Sequence, residues 1–247
     1  IDWPAFEAHV ARTHAAGLDV AVNMDTGFGD LLSIDERAAV LDATRAALGA
    51  GPTFYAGAFS DGGDLVGGYH AAMAAITARG ALPVIVQHRA MHGLDAAALA
   101  TLYARIAAGA PRALAFELGP MFAPHGFIWD DETFARLLDI EPLAGAKHSS
   151  LDRAVELRRL AARDRQRPEF RVYTGNDLAI DMVCYGSDYL LGLSTLTPAS
   201  FAARDRALAA GDLACLALND ALQHLGNVAF RAPVPAYKHS AALFLQL

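Results

Sequence analysis

Leu143-Ala144-Gly145-Ala146-Lys147-His148-Ser149-Ser150 is a run of apolar and small residues that ends in a lysine and three further polar residues. A short, continuous apolar run is typical of a parallel strand that is buried on both faces. Residues 150–163 follow with the spacing of an amphipathic helix. Because a buried strand that leads into a helix is the repeating unit of parallel α/β sheets, this stretch predicts that fold class.

The same strand-and-helix unit recurs on both sides of this stretch. Predicted strands lie at residues 19–24, 53–59, 82–87, 113–118, 143–147, 170–173 and 189–193. Predicted helices lie at residues 33–48, 65–79, 95–108, 130–138, 150–163 and 178–185. The helix at 33–48 begins with Ser33 and Glu36 at the spacing of a capping box. The glycine-rich motifs of dinucleotide-binding and P-loop sheets do not occur, which argues against an open nucleotide-binding sheet.

The strand count favours a closed barrel. Seven predicted strands follow a helical pattern at residues 3–16, so we expect a (β/α)8 TIM barrel whose first strand lies upstream of residue 1. After residue 197 the pattern is entirely helical, at residues 198–210, 212–230 and 235–246. We therefore expect an α/β barrel at residues 1–197 and a C-terminal helical extension, packed on the barrel, at residues 198–247.

Composition excludes several classes of protein. The chain has 247 residues, of which 54% are hydrophobic and 19% charged, as in one large globular domain. A net charge of −7 argues against nucleic-acid binding, and no apolar run approaches the ~20 residues of a membrane span. Cys184 and Cys215 are isolated, and residues 1–4 do not resemble a signal peptide, so we expect a cytoplasmic protein. The histidines lack metal-binding spacing, and we expect no metal and no cofactor.

The polar residues at strand ends are the candidates for chemistry, because barrel active sites lie at the carboxyl ends of the strands. Lysine occurs at only two positions, Lys147 and Lys238, among 20 lysines and arginines. Burial in a barrel would lower the pKa of Lys147, and a neutral amine can attack a carbonyl carbon to form a Schiff base. The alternative is an ion pair between Lys147 and Glu117 on the neighbouring strand. The residues alone do not decide between the Schiff base and the ion pair.

Gly145-Ala146-Lys147-His148-Ser149-Ser150 resembles the Schiff-base strand of the dihydrodipicolinate synthase / N-acetylneuraminate lyase family of class I aldolase-type enzymes. Further similarities follow in the family's order along the chain, at residues 25–27, 172–177, 189–194 and 233–238. The resemblance implies a barrel with three extra helices, commonly a homo-oligomer (dimer or tetramer), with Lys147 as the imine-forming residue. It implies that the substrate-binding residues are Asp25, Thr26, Gly27, Gly175, Asn176 and Leu191.

The departures from the family pattern concern proton transfer. Neither of the family's two catalytic tyrosines is present at the expected strand ends, which carry Glu117 and His88 instead. Either residue could act as the acid and base, since a buried glutamate or a histidine can titrate near neutral pH. The alternatives are that Glu117 pairs with Lys147 and that His88 is a buried histidine bonded to the backbone.

Asp25 replaces the first threonine of the family's carboxylate-binding loop. Two like charges about 4 Å apart at an effective dielectric near 20 repel by roughly 4 kcal/mol. Asp25 therefore points away from the substrate, or the substrate is not a simple 2-keto acid. Tyr237 and Lys238 are predicted to pack the last helix against the barrel.

The function expected from these residues is that of a lyase, an aldolase or dehydratase. Its substrate would be a small carbonyl compound such as a 2-keto acid or a sugar-acid-like molecule, attacked by Lys147. A barrel isomerase or hydrolase that forms no imine is one alternative. A barrel that binds a ligand but has lost turnover is another, because both tyrosines are missing.

Overall fold

The centre of the computed structural model, which describes residues 1–245, is a parallel sheet of seven strands in chain order. The strands are β1 (Ala21–Val22), β2 (Phe54–Ala58), β3 (Ala81–Val86), β4 (Ala113–Phe116), β5 (Leu143–His148), β6 (Arg171–Thr174) and β7 (Asp188–Tyr189). Every strand predicted from the sequence is present. The two outermost strands of the sheet, β1 and β7, are only two residues long and thus shorter than predicted.

Helices lie before the first strand, between strands and after the last one. In the described residues they are α1 (Trp3–Ala15), α2 (Ile34–Leu48), α3 (Leu65–Thr77), α4 (Ala96–Ala107), α5 (Asp131–Leu138), α6 (Arg153–Gln166), α7 (Pro198–Ala209), α8 (Ala214–Ala229) and α9 (Tyr237–Phe244). The helix predicted at 178–185 is instead a 3-10 helix at Ile180–Tyr185. The predicted extension ends at 247, and its residues 246–247 lie outside the described part. The capping box of α2 is confirmed, because Ser33 and Glu36 exchange side-chain to backbone hydrogen bonds of 3.2 and 2.8 Å.

The sheet is open at one place. Each strand pairs with the next, but within residues 1–245 no pairing joins β7 to β1. A cavity of about 730 Å³ lies between these two strands, and residues of α1 and α9 also line it. The structure thus has an α/β fold with a seven-stranded parallel sheet, and closure into an eight-stranded barrel stays a prediction.

The two faces of the sheet have different partners. Alternate residues, such as Ala56, Ala115 and Val172, pack with the surrounding helices in the main apolar core. The residues between them form a second cluster on the inner face, which includes Val84, Val86, Leu114, Phe116 and Tyr173. The strand alternation therefore decides whether a side chain points toward the helices or into the interior of the curved sheet.

Register places Lys147 on the inner face. Val86 of β3 is aligned with Phe116 of β4, Phe116 with Lys147 of β5, and Lys147 with Tyr173 of β6. Laterally aligned residues of a parallel sheet point to the same face. Lys147 therefore points inward with three apolar or aromatic side chains, whereas the next residue, His148, points toward the helices.

The last three helices pack against the segments that follow β6 and β7. They contribute to a third apolar cluster that joins the segments after β6 and β7 to the tail. Its fully buried members include Ile180, Leu193 and Phe201, and Tyr237 is also buried. None of the helices in the described residues has the length and hydrophobicity needed to cross a bilayer.

Candidate functional site

Lys147 is the central residue of the candidate site. Its side chain is 7% exposed, and its amine lies 4.3 Å from the centre of the Phe116 ring. Across the part of the chain that the structure describes, the amine forms neither a hydrogen bond nor an ion pair within 4.0 Å. The alternative of a Lys147–Glu117 ion pair is therefore wrong. A buried amine without a protein partner is free to meet a substrate.

The surroundings of Lys147 favour its neutral form. Burial lowers the pKa of the Lys147 amine below its usual 10.5, and Lys238 lowers it further. The carboxylates of Asp177 and Asp25 act in the opposite direction but do not outweigh the burial. Because only the unprotonated amine is a nucleophile, this shift is the one that carbonyl chemistry needs.

Gly175 makes room for the Lys147 side chain. A Cβ at position 175 would come within 2.7 Å of Cε of Lys147 and of the carbonyl oxygen of His148. The Gly175 N–H also donates a 2.6 Å hydrogen bond to that carbonyl. The predicted site residue Gly175 thus lies beside Lys147, where its lack of a side chain lets β5 and β6 end in close contact.

Asp177 is the charged group that most strongly raises the pKa of Lys147. It follows β6 and is 4% exposed, and its Oδ1 accepts a 2.7 Å hydrogen bond from the Leu193 N–H. Burial raises the pKa of Asp177 to about 7, although the Leu193 N–H and Lys147 both oppose this. A carboxyl group beside Lys147 is therefore poised to exchange protons near neutral pH.

The loop Asp25–Gly27, which follows β1, forms a 3-10 turn in which polar groups already have partners. The Thr26 hydroxyl lies 2.9 Å from the Tyr237 hydroxyl, and the Gly27 N–H donates to the Met24 carbonyl at 3.1 Å. The Gly27 N–H is thus already bonded within the loop, and contact of Gly27 with substrate stays a prediction. We call Asp25–Gly27 the anchor loop below.

The C-terminal tail supplies two residues to the anchor loop. Lys238 Nζ lies 2.7 Å from Asp25 Oδ1, and the two side chains are only 12% and 11% exposed. Tyr237 is buried, and its hydroxyl donates to Asp25 Oδ2 at 3.3 Å. Asp25 and Lys238 both affect the pKa of Lys147, so the two lysines of the chain are electrostatically coupled. The sequence predicted packing for this tail segment but not its polar contacts with the anchor loop.

The predicted position of Glu117 in the site is corrected by the structure. Glu117 follows inward-pointing Phe116 and therefore faces the helices, where it is fully buried. Its carboxylate lies 2.7 Å from Arg159 Nη2 and 3.1 Å from His148 Nδ1, and it accepts hydrogen bonds from the Trp129 and Ser149 N–H groups. Glu117 is thus a member of a buried ion network that packs α6 against β5.

This network keeps Glu117 charged. Burial raises the pKa of the Glu117 carboxyl, but Arg159 and His148 outweigh it and hold the pKa below its usual 4.5. His148 Nε2 also shares a hydrogen bond of 2.7 Å with the Ser150 hydroxyl. A permanently ionised carboxylate that faces away from Lys147 is poorly suited to the proton transfer predicted for it.

His88 lies at the rim of the inner face, after β3. Its Nδ1 accepts a 3.1 Å hydrogen bond from the Ala90 N–H, and its side chain is partly exposed. Burial and the nearby charges of Arg89 and His125 lower the pKa of His88. In the described residues His88 forms no hydrogen bond with Lys147. Its backbone bond agrees with the alternative considered from the sequence, but its partial exposure does not.

The two remaining predicted site residues are buried structural neighbours of the site. Asn176 is 1% exposed, and its Oδ1 accepts a hydrogen bond from the Leu178 N–H at 3.0 Å, which shapes the turn before Asp177. Leu191 packs in the third apolar cluster, which includes residues of the last three helices, and lines the cavity between β1 and β7. Their predicted contact with substrate stays a prediction.

Comparison with known proteins gives one consistent result. No protein-family model and no curated protein sequence matches the chain. Solved structures do match over nearly its whole length. A chloride-inhibited dihydrodipicolinate synthase from Acinetobacter baumannii, in complex with pyruvate, has a TM-score of 0.82 at 18% identity and covers 99% of this chain and 84% of its own.

Two further structures agree. A prophage protein of the dihydrodipicolinic acid synthase family from E. coli K12, in complex with pyruvate, has a TM-score of 0.85 at 16% identity, over 98% of this chain and 82% of its own. Dihydrodipicolinate synthase from Thermotoga maritima has a TM-score of 0.78 at 19% identity, over 94% and 78%. The resemblance seen in the sequence is confirmed at the level of the fold: the chain has the fold of the dihydrodipicolinate synthase family.

Proposed function

We propose that this chain is a Schiff-base-forming lyase of the dihydrodipicolinate synthase type, in which Lys147 attacks the carbonyl carbon of a 2-keto acid or a sugar-acid-like substrate. The observation that carries the proposal is the buried Lys147 amine, which has a lowered pKa and no partner among the described residues. Two proteins of the same fold are complexed with pyruvate, which supports the same class of substrate for this chain.

The reaction begins with the neutral amine. The nitrogen lone pair of Lys147 forms a bond to the carbonyl carbon, the nitrogen gives up one of its protons, and the carbonyl oxygen takes up a proton to become a hydroxyl group. A second proton lets this hydroxyl leave as water, and a protonated imine remains. The imine then accepts an electron pair from the adjacent carbon. That pair is released when the adjacent carbon loses its bond to the next carbon, or when it loses a proton before dehydration.

Asp177 is the proton carrier in this proposal, in place of Glu117 and His88. One of its oxygens is held by the Leu193 N–H, so the carboxyl group has a fixed orientation. Asp177 and Lys147 influence each other's pKa but do not form an ion pair within 4.0 Å. The Asp177 carboxyl can therefore exchange a proton with a bound substrate without first breaking an ion pair to Lys147.

Phe116 assists the charged intermediate. The face of its ring lies beside the Lys147 amine, and an aromatic face attracts a cation. The protonated imine is a cation at the same position as the amine. The ring therefore stabilises the intermediate in a pocket where burial alone would disfavour a positive charge.

The proposal includes closure of the barrel by an eighth parallel strand. β1 and β7 face each other across a cavity of about 730 Å³ without pairing to each other, and the cavity reaches the anchor loop at Thr26. An extended segment between them would satisfy both strand edges and exclude water from the site. Slow hydrogen exchange of those β1 and β7 amides that do not bond to β2 or β6 would support this closure, whereas rapid exchange of these amides would contradict it.

Borohydride trapping tests the lyase proposal. The purified chain is incubated with pyruvate and with a panel of other 2-keto acids, reduced with borohydride, and analysed by intact mass and peptide mapping. We expect a reduced adduct on Lys147 and none in a Lys147→Arg variant, because arginine stays protonated. An Arg158→Lys variant serves as control. It places a lysine on the exposed surface of α6, where we expect no adduct.

A second candidate function is ligand binding without turnover. It is favoured by the absence of tyrosine at the two strand ends where the resemblance implies the catalytic tyrosines, which carry Glu117 and His88 instead. Absence of a trapped adduct with any carbonyl compound, together with ligand-induced thermal stabilisation, would support this alternative and refute the lyase. A reaction without an imine would show turnover in the Lys147→Arg variant.

A further inference from the structure

The contact between Asp25 and Lys238 changes the electrostatics of the anchor loop. A lone carboxylate at position 25 would repel a substrate carboxylate. In the structure the Lys238 ammonium lies 2.7 Å from Asp25 Oδ1, and both side chains are nearly buried. The pair has no net charge, so the loop as a whole does not repel an anion.

The ammonium group also has unused hydrogen-bonding capacity. A lysine ammonium carries three N–H donors, and Asp25 Oδ1 accepts from Lys238 at 2.7 Å. The Phe28 ring lies on another side of the ammonium, 5.2 Å away from centre to nitrogen. Across the described residues Lys238 has no second acceptor within hydrogen-bond distance. Two donors are therefore left for a ligand.

The position of Lys238 makes these donors accessible from the cavity between β1 and β7. Lys238 lines the same cavity as Thr26 and Gly27, the residues that the family resemblance assigns to substrate binding. The Gly27 N–H is bonded to Met24, and the Thr26 hydroxyl is bonded to Tyr237. Lys238 is thus the residue of this loop region that offers both positive charge and free donors.

We propose that Lys238, held in place by Asp25, binds the carboxylate of the carbonyl substrate and so selects 2-keto acids over uncharged carbonyl compounds. The proposal rests on the lyase function and names its substrate class. Lys238 is a substrate-binding residue in this scheme, and Asp25 is a positioning residue that acts through it. The same ammonium lowers the pKa of Lys147, which favours the neutral nucleophile.

The test compares a charged with an uncharged carbonyl compound. Half-saturation concentrations for adduct trapping are measured with pyruvate and with hydroxyacetone. We expect Lys238→Met to raise the value for pyruvate at least tenfold and that for hydroxyacetone less than twofold. Lys238→Arg keeps the charge and should retain most of the preference. An equal effect on both compounds would mean a structural role only, and would overturn the proposal.

Asp25 supplies an internal control. In Lys238→Met the Asp25 carboxylate is left without its partner and repels pyruvate, so the Asp25→Asn/Lys238→Met double variant should recover part of the lost affinity. A double variant that binds pyruvate no better than Lys238→Met would contradict the assigned charge balance. A Lys238→Met variant that binds pyruvate as well as the wild type would refute the role of Lys238.

Non-covalent binding separates this proposal from the lyase function. Pyruvate binding to a Lys147→Met variant is followed by ligand-observed NMR, so that no imine is required. We expect binding that is lost in the Lys147→Met/Lys238→Met double variant. If the wild type forms no adduct but this difference is seen, the lyase proposal fails and the anion site stands. If Lys147→Met does not bind pyruvate, the anion site fails.

Discussion

Phe116 and Lys147 occupy the same register position on neighbouring strands, and the Lys147 amine lies 4.3 Å from the centre of the Phe116 ring. The contact follows from strand pairing and not from a flexible loop. It holds the only inward-pointing charged side chain of β5 against an aromatic face. The position of the nucleophile is therefore set by the sheet itself.

Replacing Phe116 should weaken imine formation. A cation against an aromatic face gains about 0.5 to 2 kcal/mol, so Phe116→Leu should raise the half-saturation concentration for pyruvate trapping by roughly 2- to 30-fold. Phe134→Leu is the matched control, since Phe134 is equally buried but packs among the outer helices. Both variants should lose stability in denaturant titrations. A similar loss of trapping in both would show that the effect comes from stability.

Gly175→Ala should abolish trapping at unchanged borohydride and pyruvate concentrations. The added Cβ would lie 2.7 Å from Cε of Lys147, so the amine must move or the strands must separate. Overpacking of this kind costs about 1 to 3 kcal/mol of stability. Gly145→Ala, whose Cβ would meet the Arg171 carbonyl at 2.4 Å, is the control. It should be destabilised but should still form the adduct, and its failure to do so would weaken the steric argument at position 175.

The sequence predicted the positions of the strands and the burial of Lys147 because both depend on local patterns. Buried parallel strands are continuous apolar runs, and a lysine at the end of such a run is conspicuous without any knowledge of tertiary contacts. The lengths of β1 and β7 were overestimated. After Tyr189, Leu191 and Leu193 pack with the C-terminal helices and not in the sheet. The segment at 178–185 has helical composition but forms a 3-10 helix.

The errors at the site have two physical origins. Strand register is not encoded in one strand alone, and a shift by one residue moves a side chain to the other face. Glu117 follows Phe116, the partner of Lys147, and so faces Arg159 instead. Lys238 meets Asp25 across 213 positions of sequence, a contact that depends on how the tail helices pack. The sequence contains no local signal for either.

Glu117→Gln should destabilise the protein without changing the pH dependence of trapping. The variant leaves the Arg159 guanidinium buried without its countercharge, and removal of one partner of a buried pair costs about 3 to 5 kcal/mol. Glu132→Gln is the control, because its pair with Arg136 is exposed and worth about 0 to 1 kcal/mol. Urea titration measures both. An altered pH profile in Glu117→Gln would instead assign proton transfer to Glu117.

Asp177→Asn should change the pH dependence of both catalysis and stability. Burial raises the pKa of Asp177 to about 7, so the folded chain holds a proton on this group from about pH 4 to 7 that the unfolded chain has lost. Its contribution to the free energy of unfolding is present below the unfolded pKa and is lost as the pH rises through 7. The asparagine variant should lack this loss, which urea titrations at pH 5 and pH 8 would measure.

The same substitution tests the proton carrier. Loss of water from the adduct needs the protonated Asp177 carboxyl, so the trapping rate of the wild type should fall as the pH rises above about 7. In Asp177→Asn the rate should be lower, and this fall should be absent. Asparagine can still accept the hydrogen bond from the Leu193 N–H, so the loop should keep its conformation. If the trapping rate of the variant still falls above about pH 7, another group is the acid. Tyr237 is then the next residue to replace, because its hydroxyl bonds to Thr26 and Asp25.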